Sequence, residues 1–419
     1  MGQPVLWFDD RLGIGEIHTG RLNWKGRTIE RARAIYHKLV RRTLARVASA
    51  VINETACTAY RLAGTFRRRT TVASVLQISI LSHKPHMVSR ALREEGLKSD
   101  CFMLNVGLDA GILSVGWDYS MAANLSPFKR WLLEHYYLWT VLARYDVIHS
   151  HFKTFLSESG WELEYLRRLG KVLVFQFRGC DVRYRSLNMR LQPVLNCCQE
   201  CEYPVGSCDT PYQFRQVGTA TKYGDLLFVT TPDLVDFVKG SEHIPFIHPV
   251  GVDFDAIVPA PRNAGIFRVV TSSNHHGIDG TRFIRIAVDR LRDEGRSIEL
   301  VEVSNMPYRQ ALSVYKSADV YVGKLRMGYY NNANIETMML GVPNMAYIRD
   351  DFLAIVPDCP IIVTRPETVH QRLSEYIDRR DELKAIGARG PAFVRAHHDP
   401  RLIMRRVVAR YNEAFQAKG

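Results

Sequence analysis

The 419-residue chain has no continuous apolar stretch of the roughly 18 residues that a membrane-spanning helix needs. Nor do its first residues run from a short basic region into an apolar core and a cleavage site, so neither secretion nor membrane spanning is expected. Cysteine is scarce: eight residues in a chain this long exclude a disulfide scaffold, although Cys197, Cys198, Cys201 and Cys208 crowd together. Acidic residues are short as well, 43 Asp and Glu against 56 Lys and Arg, for a net charge of +13. That shortage is local, because residues 1–72 hold 14 basic and 5 acidic side chains and so carry +9 of the total. What remains is the composition of a soluble globular protein, 46% apolar and 24% charged. At roughly 150 residues per domain, the length suits two or three domains, each able to bury its own core.

Residues 1–72 form an extension of distinct character. From Thr28 to about Ala63, the apolar positions Ile29, Ala32, Tyr36, Leu39, Val40, Leu44, Val47 and Val51 recur at helical spacing. Arg27, Arg31, Lys38, Arg41, Arg42 and Arg46 fall largely on the opposite face. Such a basic amphipathic helix suits an anionic membrane surface, reached through residues 28–63, or docking on a neighbouring domain with its basic face solvated. Nucleic acid is not an expected partner, because basic residues interleaved with stacking aromatics, or a reading motif, are missing.

From residue 73 apolar runs alternate with helical segments. Strands are expected at 74–81, 100–106, 145–149, 171–177 and 226–230, with helices at 85–96 and 127–143 among those between them. Continuous apolar strands, as opposed to alternating ones, mean that helices cover both faces of a parallel sheet. A Pro- and Ala-rich linker at 253–265 precedes a second series, with strands at 267–271, 298–303, 319–323 and 344–348 and helices between them. The tail, 366–418, reads as helical, with Pro400 opening the last helix. The expected architecture is α/β: residues 73–252 and 253–396 form two Rossmann-like domains facing a central cleft. Residues 397–419 form a helix packing back toward the first domain. Chemistry belongs in the cleft, outside the carboxyl ends of the strands.

Several short motifs occur in one order: DVIHSHF at 146–152, PVGVDF at 249–254, SSNHHGIDGTRFI at 272–284, ADVYVG at 318–323, Glu336-Thr-Met-Met-Leu-Gly341-Val-Pro343, and AHHDPR at 396–401. Over residues 73–419 this series resembles the GT-B glycosyltransferases of family 4. The resemblance implies transfer of a sugar from a nucleotide-diphosphate donor to a glycan or lipid-linked saccharide, with retained anomeric configuration. It implies no catalytic cofactor, and a cytoplasmic protein, peripheral on the inner face of the membrane if the basic helix binds there.

The residues agree with that expectation. Glu336, at the start of a helix behind a Gly- and Asn-containing loop, is suited to accept hydrogen bonds from ribose hydroxyls, while amides of the helix end face the diphosphate. Asn334, Gly328, Tyr329 and His275 complete the expected donor side. Lys324 and Arg326, just after a strand, suit neutralisation of the leaving diphosphate. His149 and His151 follow a strand; the resemblance implies that His151 orients the reacting sugar. His149 joins Arg178, Asp181 and Arg183 of the next strand exit on the acceptor side, Arg178 standing where the family has His.

Besides Arg178, three positions depart from the family pattern, and His275 or His276 falls where an Arg that grips the diphosphate is common. Gly328 stands where many members have a first Glu, and Asp279 stands where a diphosphate-gripping Lys is usual. An acid beside a diphosphate costs about 1 kcal/mol or more at an effective dielectric near 20. A non-catalytic GT-B module that binds a glycan or a partner protein is therefore the alternative, and a sugar-nucleotide epimerase of similar shape is a third reading. The Cys-rich insertion at about 180–210 also admits three readings. These are a structural zinc on Cys180, Cys198, Cys201 and Cys208, reduced buried thiols, or a disulfide.

Overall fold

The computed structural model describes residues 24–64, 70–80, 84–106, 117–152, 155–204 and 206–418, with side chains of the first helix described from residue 43. The chain forms two compact units, Met1–Ala56 and Cys57–Gly419. A helix of 41 residues, Trp24–Gly64, runs from the first into the second. Of its expected apolar face, Leu44, Val47 and Val51 are exposed. The side chains of Ile29, Ala32, Tyr36, Leu39 and Val40, and of the basic residues 27 to 42, lie outside the described residues. Within the larger unit Cys57 is buried, and Tyr60 donates a hydrogen bond to the Trp139 carbonyl, its ring 5.7 Å from that of Trp139.

The larger unit contains two parallel sheets. The first comprises β1 (Ser74–Ser79), β2 (Lys98–Val106), β3 (Tyr119–Ala122), β4 (Val147–His151), β5 (Val172–Phe177), β6 (Leu226–Val229) and β7 (Glu242–His243), in the order β3-β2-β1-β4-β5-β6-β7. Every residue of β1, β4 and β5 is buried, as strands covered on both faces must be. The edge strands β3 and β7 were not foreseen; at four and two residues, with Ser, Glu and His among them, they carry no apolar run. The second sheet comprises β8 (Phe267–Ser272), β9 (Ile298–Val303), β10 (Val320–Val322), β11 (Asn344–Ala346) and β12 (Ile361–Val363), in the order β12-β11-β10-β8-β9.

Strand order locates the cleft. In a doubly wound sheet the crevice opens where the order reverses, because adjacent strands there send their helices to opposite faces. That reversal lies between β1 and β4 in the first sheet and between β8 and β10 in the second. β4 itself carries His149 and His151, where a position after the strand was expected, and the chain leaving β1, β8 and β10 leads to Lys84, to Ser273–Asp279, and to Lys324 and Arg326.

The last helix, Pro400–Gln416, starts as its sequence indicates. Asp399 accepts from the amides of Arg401 (2.7 Å) and Leu402 (3.4 Å), and Pro400, with no amide hydrogen to satisfy, fills the first turn. It buries Ile403, Met404, Val407 and Tyr411 among Val75, Leu92, Val147, Val172 and Phe228, in the core of the first sheet. Arg406 and Arg410 pair with Glu242 on β7 at 2.6 and 2.9 Å. The Tyr411 hydroxyl lies 2.6 Å from His149 Nδ1. Replacing Tyr411 by Ala is expected to cost about 3–5 kcal/mol, and Tyr411→Phe about 1 kcal/mol, measured by urea denaturation of the purified variants.

Candidate active site

On the first-domain wall, His149 and His151 sit on one face of β4 with their rings stacked at 4.4 Å. Both are buried, and burial together with the Arg178 charge lowers both pKa values, that of His149 to about 3. His151 does not reach the open cleft. Its Nδ1 is 2.8 Å from Arg178 Nη2 and its Nε2 is 2.7 Å from Gln77 Oε1. Arginine only donates, so Nδ1 carries the lone pair and Nε2 the proton given to Gln77. The residue expected to orient the sugar therefore positions Arg178.

Arg178 is the group that faces the cavity. Its Nε is buried with no hydrogen-bond partner, and burial lowers its pKa to about 10. Lys84, Gln176, Thr230 and Asn332 share that cavity with it, over a floor of Val88, Phe228, Ile244 and Phe246. Asp181 points elsewhere: its carboxylate accepts from the amides of Arg178 (3.1 Å) and Gly179 (2.7 Å) and so shapes the turn after β5. Arg183 is likewise unavailable to an acceptor, since it is buried against Asp233 with Nη2 to Oδ2 at 2.5 Å and Nε to Oδ2 at 3.1 Å.

On the opposite wall the helix Asn332–Met339 carries Glu336, which is 7% exposed. Burial raises its pKa, opposed by Lys84 and by a hydrogen bond from Tyr308. Lys84 comes from the first domain, just after β1. Its Nζ is shut off from solvent, and burial lowers its pKa to about 8, with Arg178 adding to the shift and Glu336 opposing it. Sequence reasoning passed over Lys84; its place after β1, at the order reversal of the sheet, is the signal that finds it.

Other expected donor-side residues build the wall from behind. Asn334 is fully buried; it exchanges capping hydrogen bonds of 3.1 Å with Asn331 and donates to Asn344 Oδ1 at 2.9 Å, so it holds the helix start and not a ligand. Tyr329 is buried and stacked on Tyr330 at 4.2 Å. Tyr330 reaches His398 Nε2 at 2.9 Å, and His398 Nδ1 reaches the Phe246 carbonyl oxygen at 2.7 Å. The AHHDPR motif is thus a joint between the loop after β10 and the segment around Phe246. Gly328 has φ +79°, and a Cβ there would lie 2.9 Å from Arg349 Cδ. A side chain at this position would be strained, so the backbone here favours glycine.

Lys324 and Arg326 are both engaged. Lys324 Nζ donates to Asp279 Oδ1 at 2.5 Å, so the acid that departs from the family pattern is neutralised inside the wall. Arg326 is almost wholly buried under the Cys-rich insertion. It donates to Gln199 Oε1 (2.5 Å) and the Asn196 carbonyl oxygen (3.3 Å), and its Nη1 lies 2.5 Å from Glu200 Oε1. Arg282 meets the same Glu200 oxygen at 2.5 Å, and His275 Nε2 is 2.9 Å from the Tyr203 hydroxyl.

The thiols of Cys180, Cys201 and Cys208 lie near one another, and desolvation raises the pKa of Cys180 and Cys208. Among the described residues no group of three His, Cys, Asp or Glu side chains has the geometry to hold an ion, and all eight cysteines are free thiols. Cys198 Sγ lies 4.0 Å from Cys197 Sγ and 3.2 Å from Asn188 Nδ2, while Cys180 is exposed. Cys197 and Cys198 pack on Ile278, with Cys201 and Met327 alongside. Cys197, Cys198 and Cys201 thereby form an apolar cushion against the second domain, while Cys180 and Cys208 lie outside it.

No family model matches the chain, and no curated protein is similar to it in sequence. Solved structures do match across both domains. Sucrose-phosphate synthase from Thermosynechococcus elongatus aligns with a TM-score of 0.54 at 15% identity, over 82% of this chain and 100% of that one. Anabaena HepE in complex with UDP-glucose aligns at 0.53 and 11% identity, over 80% and 98% of the two chains. The catalytic domain of starch synthase IV from Arabidopsis thaliana, bound to ADP and acarbose, aligns at 0.52 and 9% identity, over 83% and 99%. The fold is GT-B. In this GT-B chain the cleft walls are fixed by paired charges, and the Arg183–Asp233 pair tests how much they contribute. Asp233→Ala leaves a guanidinium buried without its counter-ion and is expected to cost about 3–5 kcal/mol in urea denaturation.

Proposed function

We propose that the protein is a retaining glycosyltransferase that moves a sugar from a nucleotide-diphosphate donor to a glycan or lipid-linked saccharide. The observation that carries this reading is Glu336, a carboxylate buried at the cleft end of its helix beside Tyr308 and Lys84. A buried acid with a donor already oriented on it is suited to accept hydrogen bonds from ribose hydroxyls. The helix start and the Lys84 ammonium offer positive potential to the diphosphate next to it. UDP-glucose in the HepE structure and ADP in the starch synthase structure support a nucleotide donor. Arg178, held at its Nη2 by His151, lines the cavity that it shares with Lys84 and Asn332.

The two departures that favour a non-catalytic module lose their force. Asp279 is paired with Lys324, and the left-handed backbone at Gly328 favours glycine there. The lipid-linked acceptor draws on the first helix, where Leu44, Val47 and Val51 stay exposed beside a strongly basic sequence. Among the described residues no helix is long and apolar enough to cross a membrane, so contact through residues 28–63 is peripheral in this reading. The double variant Val47→Asp, Val51→Asp should lose co-sedimentation with anionic liposomes and leave nucleotide affinity within twofold; unchanged sedimentation removes the membrane part of the proposal.

Isothermal titration with UDP, GDP, ADP and CDP tests the donor site. One of them should bind, and Glu336→Gln should weaken it at least tenfold (about 1.4 kcal/mol); binding by none of the four refutes the reading. Lys84 adds a pH signature. Its ammonium is charged below about 8 and neutral above, so nucleotide affinity should fall as pH rises through that value. In Lys84→Met the same titration should be flat between pH 7 and 9.

A further inference from the structure

The Cys-rich insertion, residues 192–209, is built as a ligand for the second domain. Its acceptors supply three partners for Arg326: the Asn196 carbonyl oxygen, Gln199 Oε1 and Glu200 Oε1. Glu200 Oε1 also binds Arg282, so one carboxylate oxygen is clamped by two guanidinium groups at 2.5 Å each. Tyr203 covers His275, and Ile278 is packed under Cys197 and Cys198. The contact is close enough to constrain the facing backbone, since a Cβ on Gly277 would lie 2.1 Å from the Glu200 carbonyl oxygen. Arg326, His275 and Gly277 belong to the loops that leave β10 and β8, the crevice of the second sheet.

We propose that this insertion is an autoinhibitory strap in which Glu200 takes the place of the donor diphosphate on Arg326 and Arg282. This rests on the nucleotide-sugar reading given above. A guanidinium fork fits a carboxylate and a phosphate alike, so the two anions compete for the same donors. A diphosphate brings at least two negative charges to those donors. It cannot sit beside a retained Glu200 carboxylate without like-charge repulsion. Donor entry therefore requires the strap to lift, and apparent affinity is the intrinsic affinity reduced by the fraction of molecules in which it has lifted. The apolar cushion of Cys197, Cys198 and Ile278 is exposed in the same movement, which gives strap position a chemical readout independent of catalysis.

Two substitutions lift the strap by different physics. Glu200→Gln removes the charge that the two arginines hold. Gly277→Ala leaves every charge in place and pushes a methyl group into the strap backbone. The full chain and both variants are titrated calorimetrically with UDP, GDP, ADP and CDP, and are alkylated natively with iodoacetamide, the Cys197–Cys198 peptide being quantified by mass spectrometry. Both variants should bind the preferred nucleotide about tenfold more tightly, as when the open fraction rises from roughly a tenth to nearly all. Both should also alkylate faster at that peptide without nucleotide, and the wild type only when nucleotide is added. Wild-type affinity and wild-type alkylation in both variants overturn the strap and leave the donor site standing. Failure of all three proteins to bind any of the four nucleotides overturns the donor reading and the strap with it. Glu200→Gln alone decides the matter if Gly277→Ala does not fold.

Discussion

Every charge buried in the cleft must have a counter-charge or a full set of hydrogen bonds, and this constraint organises the walls. Desolvating an isolated ion costs several kcal/mol, more than any single contact returns. The cleft answers with Lys324 on Asp279, Arg183 on Asp233, and Lys84 opposite Glu336. Arg178 is the partial exception, bound at Nη2 by neutral His151 and open at Nε. Paired groups fix the walls, and the group left short of partners lines the cavity between them. Arg326 differs from both kinds, because its partners come from a strap on the facing domain and not from its own wall.

Much of the fold was legible because burial on both faces leaves a simple trace. β1, β5 and β8 appear in the sequence as mostly apolar runs broken by one to three polar residues, and the α/β class and the tandem sheets follow from their order. Pro400 and its capping Asp399 marked the last helix for equally local reasons. The edge strands β3, β7 and β12 escaped notice because two to four residues are too few to make a run, even where, as in Ile361–Val363, each is apolar.

The site was legible at the level of loops and not of side chains. A residue next to a strand exit is near the crevice, but a strand sends successive side chains to opposite faces and a turn redirects them again. His151, Asp181, Arg183 and Asn334 all belong to the right segments, yet each points inward and serves as a support. Lys84 was missed for the converse reason: nothing local distinguishes one lysine after β1, and only the packing of the two domains brings it to Glu336. The pairing of Asp279 with Lys324 spans 45 residues, so the acid looked like a defect until its partner was known.

The connection between domains shows how a fixed wall and a moving strap coexist. His398 ties Tyr330 of the loop after β10 to the Phe246 carbonyl oxygen, and Pro400–Gln416 then buries its apolar face in the first domain's core. These contacts are fully buried and cannot be exchanged for water without loss, so this side of the cleft behaves as a rigid joint. The strap contacts are of another kind: Glu200 and Arg282 are partly exposed, and each strap acceptor on Arg326 has a chemical equivalent in a phosphate oxygen. Replacing a carboxylate by a diphosphate on the same guanidinium groups exchanges one set of charge-assisted hydrogen bonds for another, at small net cost. Opening at the strap and rigidity at the joint are therefore consequences of the same rule, applied where a substitute partner exists and where none does.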